Sequence, residues 1–133
     1  MQLSNGRILY IEDHEDTREL VTLVLCLNGF DVITGSTIEA GIKLARQKKF
    51  DLYLLDSWLP DGSGLDLCKR IREFDQWTPI LFYSAAAFEV DRELALECGA
   101  QAYLVKPSQL SELCVLVSTL IQRFPRTCGT TST

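Results

Sequence analysis

Asp56 closes the apolar run Phe50-Asp51-Leu52-Tyr53-Leu54-Leu55 and is followed by Ser57-Trp58-Leu59-Pro60-Asp61-Gly62-Ser63-Gly64. An apolar stretch that ends in a carboxylate and then breaks at Pro and Gly reads as a buried strand delivering one acid to its C-terminal edge. In open α/β sheets that edge is where ligands bind. Three other segments end in the same way. Glu12 and Asp13 follow Arg7-Ile8-Leu9-Tyr10-Ile11, Ser84 ends Pro79-Ile80-Leu81-Phe82-Tyr83, and Lys106 ends Ala102-Tyr103-Leu104-Val105 before Pro107. Three carboxylates, one hydroxyl and one ammonium are the inventory for a hard divalent cation and a phosphoryl group.

Each group alone has a plainer explanation. Glu12 and Asp13 suit a helix start, Asp56 a turn before Pro60-Asp61-Gly62, Ser84 a helix cap and Lys106 a solvated surface. Their coincidence at four strand ends favours a shared site. His14 reads as an exposed or helix-N-terminal histidine and not as a catalytic group.

The elements that must position these groups alternate. Strands are expected at 7–11, 30–34, up to Asp56, 78–83 and 102–105. The first helix starts near Glu15 with an apolar stripe of Leu20, Leu23, Val24 and Leu27, and stops at Asn28-Gly29. Ser36 or Thr37 caps a second helix carrying Ile38, Ile42, Leu44 and Ala45. Gly62-Ser63-Gly64 opens a third with Leu65, Cys68 and Ile71 inward. A fourth runs from Phe88 to Cys98 with Val90, Leu94 and Cys98 inward, closed by Gly99. Ser108 caps the last, whose face is Leu110, Leu113, Cys114, Val117, Leu120 and Ile121. Five such pairs predict an α/β fold, a parallel sheet covered on both sides.

The 133 residues suit one domain, and 47% hydrophobic with 23% charged residues is a globular composition. A net charge of −5 argues against a nucleic-acid surface. The one dense basic cluster, Arg46-Gln47-Lys48-Lys49, reads as dipole partners at a helix end. No apolar run approaches a membrane span. Cys26, Cys68, Cys98 and Cys114 read as small buried hydrophobes in a reducing compartment, and Cys128 as exposed in the polar tail. A cytoplasmic location follows from these signs.

From about Arg7 to Arg123 the chain resembles the receiver domain of two-component response regulators, chemotaxis regulators included. The resemblance rests on the acid pair Glu12-Asp13, the acceptor segment Leu-Leu-Asp56-Ser-Trp-Leu-Pro-Asp-Gly-Ser-Gly, the hydroxyl Ser84 with Ala85, and Lys106-Pro107. It implies a flavodoxin-like doubly wound five-stranded parallel sheet of order 2-1-3-4-5 with five helices. Residues 1–122 would form the receiver domain and 123–133 a disordered tail or linker stub.

The resemblance also implies a phosphoacceptor that acts only on itself, by self-phosphorylation and autodephosphorylation. Asp56 would take the phosphoryl group from a sensor histidine kinase or a phosphotransfer protein. Mg²⁺ would be held by Asp13 and Asp56 directly, by Glu12 through water and by the Trp58 backbone carbonyl. Lys106 would pair with a phosphoryl oxygen and Ser84 hydrogen-bond another. Tyr103, at the switch aromatic position, would respond to Ser84. The fourth helix, fifth strand and fifth helix, around Phe88, Glu89, Arg92, Tyr103, Gln109 and Glu112, would then control a downstream protein or attached effector domain. The same face could also support a homodimer; neither nucleic acid nor membrane is expected to bind this domain.

The chain departs from the common pattern in its Glu-Asp acid pair, in serine for threonine at 84, and in pairing Trp58 with Ala86 beside the path of hydrolytic water. Other readings meet specific obstacles. A haloacid-dehalogenase-like phosphatase wants a second acid where Trp58 stands. A nucleotide-binding module wants a Gly-rich loop where Ile11-Glu12-Asp13-His14-Glu15 stands. A phosphorylation-independent adaptor has no need of all five landmarks.

Overall fold

The computed structural model describes residues 4–125. Its elements are β1 (Arg7–Ile11), α1 (Glu15–Leu27), β2 (Asp31–Gly35), α2 (Ile38–Gln47), β3 (Leu52–Leu55), β4 (Trp58–Leu59), β5 (Gly62–Ser63), α3 (Gly64–Arg72), β6 (Ile80–Ser84), α4 (Glu89–Glu97), β7 (Ala102–Val105) and α5 (Leu110–Arg123). Five strands form one parallel sheet in the order β2-β1-β3-β6-β7. Apart from the short β4–β5 hairpin, this is the expected order 2-1-3-4-5. The hairpin, antiparallel with Trp58 opposite Ser63 and Leu59 opposite Gly62, occupies what the sequence presents as a loop.

Strand alternation sorts side chains into two cores. Leu9, Ile11, Tyr53, Leu55, Ile80 and Phe82 pack under α2, α3 and α4, against Ile42, Leu67, Ile71 and Ala95. Ile8, Tyr10, Leu52, Leu54, Leu81 and Tyr83 pack under α1 and α5, against Val21, Leu25, Leu113 and Val117. Strands covered on both faces have no polar side, which is why each reads as a continuous apolar run. Truncating a fully buried residue such as Leu54 would cost about 2–5 kcal/mol.

Three helix faces differ from expectation. In α1, Val21 and Leu25 are buried, whereas Leu20, Leu23 and Leu27 are 53%, 56% and 77% exposed. The phase is set one residue along, because Val24 belongs to either stripe and docking on β1 and β2 selects the other one. In α4, Val90 and Leu94 face solvent and the smaller Ala95 is buried. In α3, Leu67 replaces Leu65 as the fully buried leucine beside Cys68 and Ile71.

Cap assignments also sort themselves out. His14 caps α1 by accepting from Thr17 N, and Thr37, not Ser36, caps α2 by accepting from Ala40 N. Gln109 stands at the start of α5, while the Ser108 hydroxyl donates to the Val105 carbonyl. Of the cysteines, Cys68 and Cys114 are buried, Cys98 is intermediate, and Cys26 is exposed, contrary to expectation. Cys128 and most of the expected tail lie outside the described residues; α5 itself continues through Arg123.

Candidate functional site

The parallel sheet puts the C-terminal ends of β1, β3, β6 and β7 at one edge. There Glu12, Asp13, His14, Thr17, Asp56, Trp58, Leu59, Pro60 and Lys106 line a cleft of about 520 Å³. Carboxylate oxygens of Glu12, Asp13 and Asp56 lie within 4.8 Å of one another. Glu12 and Asp56 are buried and Asp13 is exposed. Ser84, at the end of β6, is fully buried beside the same edge.

Glu12 is held from several sides. Lys106 Nζ donates to its Oε1 at 2.5 Å, Tyr10 Oη donates to the same oxygen at 3.4 Å, and His14 N donates to Oε2 at 3.2 Å. Lys106 thus pairs first with Glu12 and stands 3.9 Å from Asp56 Oδ2. Arg18 Nη1 donates to the Glu12 carbonyl at 2.8 Å, tying α1 to the turn that carries the acid pair.

Asp56 has one protein hydrogen bond to its Oδ1, from Ser57 N at 2.8 Å. Burial pushes its carboxyl up to about 6; the Lys106 ammonium pulls it down, the Glu12 charge pushes it up, and the Ser57 N–H pulls it back. Burial, and then the charges of Glu12 and Asp56, also raise the Tyr10 phenol above its ordinary value, keeping it a donor.

The loop that follows β3 is packed from below by α3. A Cβ on Gly64 would fall 2.0 Å from the Asp56 carbonyl oxygen, so no other residue fits there without moving the loop. Gly64 N in turn donates to the Ser57 carbonyl at 2.8 Å. Asp61 fastens the hairpin to α2, accepting from Ile38 N at 2.8 Å and Glu39 N at 3.2 Å. Trp58 is 66% exposed on that hairpin.

Tyr103 points into the molecule. Its ring stacks on Phe82 with centroids 5.8 Å apart, and its Oη donates to the Ala86 carbonyl at 2.6 Å. Ala86 N donates to Ser84 Oγ at 3.1 Å. The outer face nearby carries exposed Phe88, the Glu89–Arg92 ion pair at 3.1 Å, and exposed Gln109 and Glu112.

The structure therefore brings Glu12, Asp13, Asp56, Trp58 and Lys106 into one cleft, with Ser84 and Tyr103 joined through Ala86 behind it. Sequence reasoning missed Tyr10, Arg18 and Ser57. Arg18 sits one turn beyond the helix start, where a long side chain reaches back to the preceding loop. No periodicity marks the other two.

A hard divalent cation fits this donor set. The ligand atoms are carboxylate oxygens, which such ions prefer, and a bound cation would offset the burial and the Glu12 charge that raise the Asp56 carboxyl. Haloacid-type acid chemistry has no counterpart here, because the position two residues after Asp56 carries an indole.

Comparisons with known proteins agree on one family. The model of the response regulator receiver domain matches residues 8–118. The alkaline phosphatase synthesis transcriptional regulatory protein PhoP of Bacillus subtilis is 37% identical over 119 residues, covering 90% of this chain and 50% of that protein. The chain spans about half the length of the curated relatives it matches. The non-phosphorylated HemR receiver domain of Leptospira biflexa superposes with a TM-score of 0.81 at 35% identity, covering 86% of this chain and 93% of that one. The receiver domain of sensor histidine kinase PA1611 from Pseudomonas aeruginosa, crystallised with a magnesium ion in its active-site cleft, gives 0.82 at 27%, covering 88% and 98%.

Proposed function

The chain belongs to the response regulator receiver domain family, and on that premise we propose that Asp56 is a phosphoacceptor whose modification resets the surface around α4, β7 and α5. The observation that carries this reading is the electrostatics of Asp56: a buried carboxylate against Glu12, with one N–H donor among the described residues and a lysine held at 3.9 Å. Such a group is poised to react and poorly stabilised at rest.

Transfer from a phosphohistidine breaks the P–N bond as an Asp56 oxygen bonds to phosphorus. The imidazole leaves with its proton. Positioning and charge supply most of the catalysis in such transfers. Asp13 and Asp56, with Glu12 behind water and the Trp58 carbonyl, would hold Mg²⁺, which when bound neutralises the carboxylates and orders the phosphoryl oxygens. Lys106 would leave Glu12 and pair with a phosphoryl oxygen; the short reach between its two acids makes this a swing of the ammonium alone. Ser84 would give up Ala86 N and donate to another phosphoryl oxygen. The phosphoryl donor would be a sensor histidine kinase or phosphotransfer protein, and the output a downstream protein or attached domain.

The test is incubation with acetyl phosphate and Mg²⁺, or with chelator, followed by mapping of the acyl phosphate by mass spectrometry. A single label on Asp56 that needs the metal is expected. Label persisting in Asp56→Asn at the wild-type rate would refute the assignment and favour a phosphorylation-independent adaptor.

A further inference from the structure

Ser57 touches three parts of the proposed switch at once. Its N–H holds the acceptor carboxylate, its carbonyl takes the N-terminal Gly64 N–H of α3, and its Oγ lies 3.4 Å from Tyr103 Oη. The direction of the last contact follows from proton count. A tyrosine hydroxyl has one hydrogen, and Tyr103 commits it to the Ala86 carbonyl at 2.6 Å. The Ser57 hydroxyl must therefore donate and Tyr103 Oη accept.

Two paths then run from the acceptor edge to Tyr103. One passes from Ser84 through both backbone groups of Ala86. The other passes from Asp56 through the main chain and hydroxyl of Ser57. The second needs no movement of Ser84. It answers to the acceptor loop itself, since a group bonded to Oδ1 would share or displace the Ser57 N–H, and one bonded to Oδ2, the oxygen nearer Lys106, would turn Oδ1 from a charged to a neutral acyl acceptor of that N–H. The loop has little freedom to absorb such a change elsewhere, because Gly64 is packed hard against the Asp56 carbonyl.

We propose that Ser57 is a positioning residue forming a second, Ser84-independent link between the acceptor carboxylate and Tyr103. It rests on the phosphoacceptor reading above. At 3.4 Å the contact is long for an O–H···O bond, so its leverage is modest. Its loss should weaken the coupling about two- to fivefold, the lower part of the range of one neutral hydrogen bond.

The experiment uses the full chain with ¹³C-labelled tyrosine rings, Tyr103→Phe serving to assign the Tyr103 signal. Spectra are compared with Mg²⁺ before and after beryllofluoride, a phosphoryl mimic, whose binding is followed separately by its own ¹⁹F resonances. In Ser84→Ala, part of the Tyr103 response should survive. It should vanish in Ser84→Ala/Ser57→Ala and return in Ser84→Ala/Ser57→Thr, which restores the hydroxyl. Mimic affinity should fall about two- to fivefold in Ser57→Ala and be unaffected by the same change in a Tyr103→Phe background. A Tyr103 response abolished by Ser84→Ala alone, or indifferent to Ser57 in both backgrounds, overturns the link while leaving the phosphoacceptor reading intact. Absence of bound mimic in the wild type overturns both.

Discussion

Asp56 and Asp75 are aspartates at opposite ends of one sheet, and their surroundings are opposed. Asp75 sits between α3 and β6 and accepts from four donors: Trp77 N, Thr78 N, Thr78 Oγ1 and Tyr53 Oη, at 2.7–3.0 Å. Burial alone would raise its carboxyl, but the Thr78 hydroxyl, the Thr78 N–H, Tyr53 and Trp77 together hold it below the ordinary value. Asp56 has one donor, two acidic neighbours and a raised carboxyl. The cleft at the Asp75 end, about 340 Å³, is lined by Arg46, Lys48 and Lys49, with Arg46 4.3 Å from the Phe74 ring centre. The other cleft is lined by acids. One end spends its polar groups on holding the loop between α3 and β6. The other gives its acid one N–H donor, as the proposed site for a cation and a phosphoryl group would require.

The largest effect should come from the satisfied end. Asp75→Ala removes the acceptor of four donors and should cost about 2–3 kcal/mol in urea denaturation. A loss below about 0.5 kcal/mol would erase the contrast. The unsatisfied end should behave in reverse: in chelator at neutral pH, Asp56→Asn should stabilise the fold by about 1–2 kcal/mol, allowing for solvent screening at the cleft.

The two residues should also oppose each other in pH. Asp56 has a raised folded value, so the wild type loses stability as pH rises from the ordinary 3.8 through about 6. The advantage of Asp56→Asn should grow across that window. Asp75 has a lowered folded value, so its stabilisation is present above 3.8 and is lost as pH falls through the folded value below it. Melting curves of both variants from pH 3 to 8 would check the signs. Parallel profiles would break the comparison.

A cation should relieve only the acidic end. Millimolar Mg²⁺ should stabilise the wild type by about 0.4–1.5 kcal/mol at constant ionic strength. Asp13→Asn should raise the metal-free stability and remove the increment, while Asp75→Asn should keep it. The smallest effect concerns Trp58 at the cleft rim. Trp58→Asn should change acyl-phosphate hydrolysis several-fold with little change in stability, since the indole is largely exposed. Trp58 emission, isolated by Trp77→Phe, should respond to Mg²⁺ and to beryllofluoride. Unmoved emission with unchanged hydrolysis would make Trp58 an ordinary surface aromatic.

The acidic end was legible in advance for a topological reason. A parallel sheet sends all its C-terminal strand ends to one edge, so four apolar runs ending in polar residues had to converge. Helix phase was not legible. In α1 the leucines at 20, 23 and 27 and the set of Val21, Val24 and Leu25 are both at helical spacing, and only docking on the sheet chooses between them. Ala95 carried too little hydrophobicity to outweigh Val90 and Leu94, yet it is the residue of α4 that the core covers completely. The pairing of Lys106 with Glu12, closer than with Asp56, depends on ångström distances between strand ends, as does the contact of Ser57 with Tyr103. Neither leaves a trace in spacing or composition.

The bond from Lys106 to Glu12 joins residues 94 positions apart, and β7, which aims Lys106, is an edge strand that among the described residues pairs with β6 alone. Contacts of such long sequence separation are slow to form, because loop closure must precede any reward. A chain in which β7 has not yet docked can already gather Glu12, Asp13 and Asp56 from β1 and β3. It lacks the ammonium and the aromatic that complete the proposed switch. On the proposed reading, competence to hold and transmit a phosphoryl group should be among the last properties the folding chain acquires, and among the first it loses when that edge strand lets go.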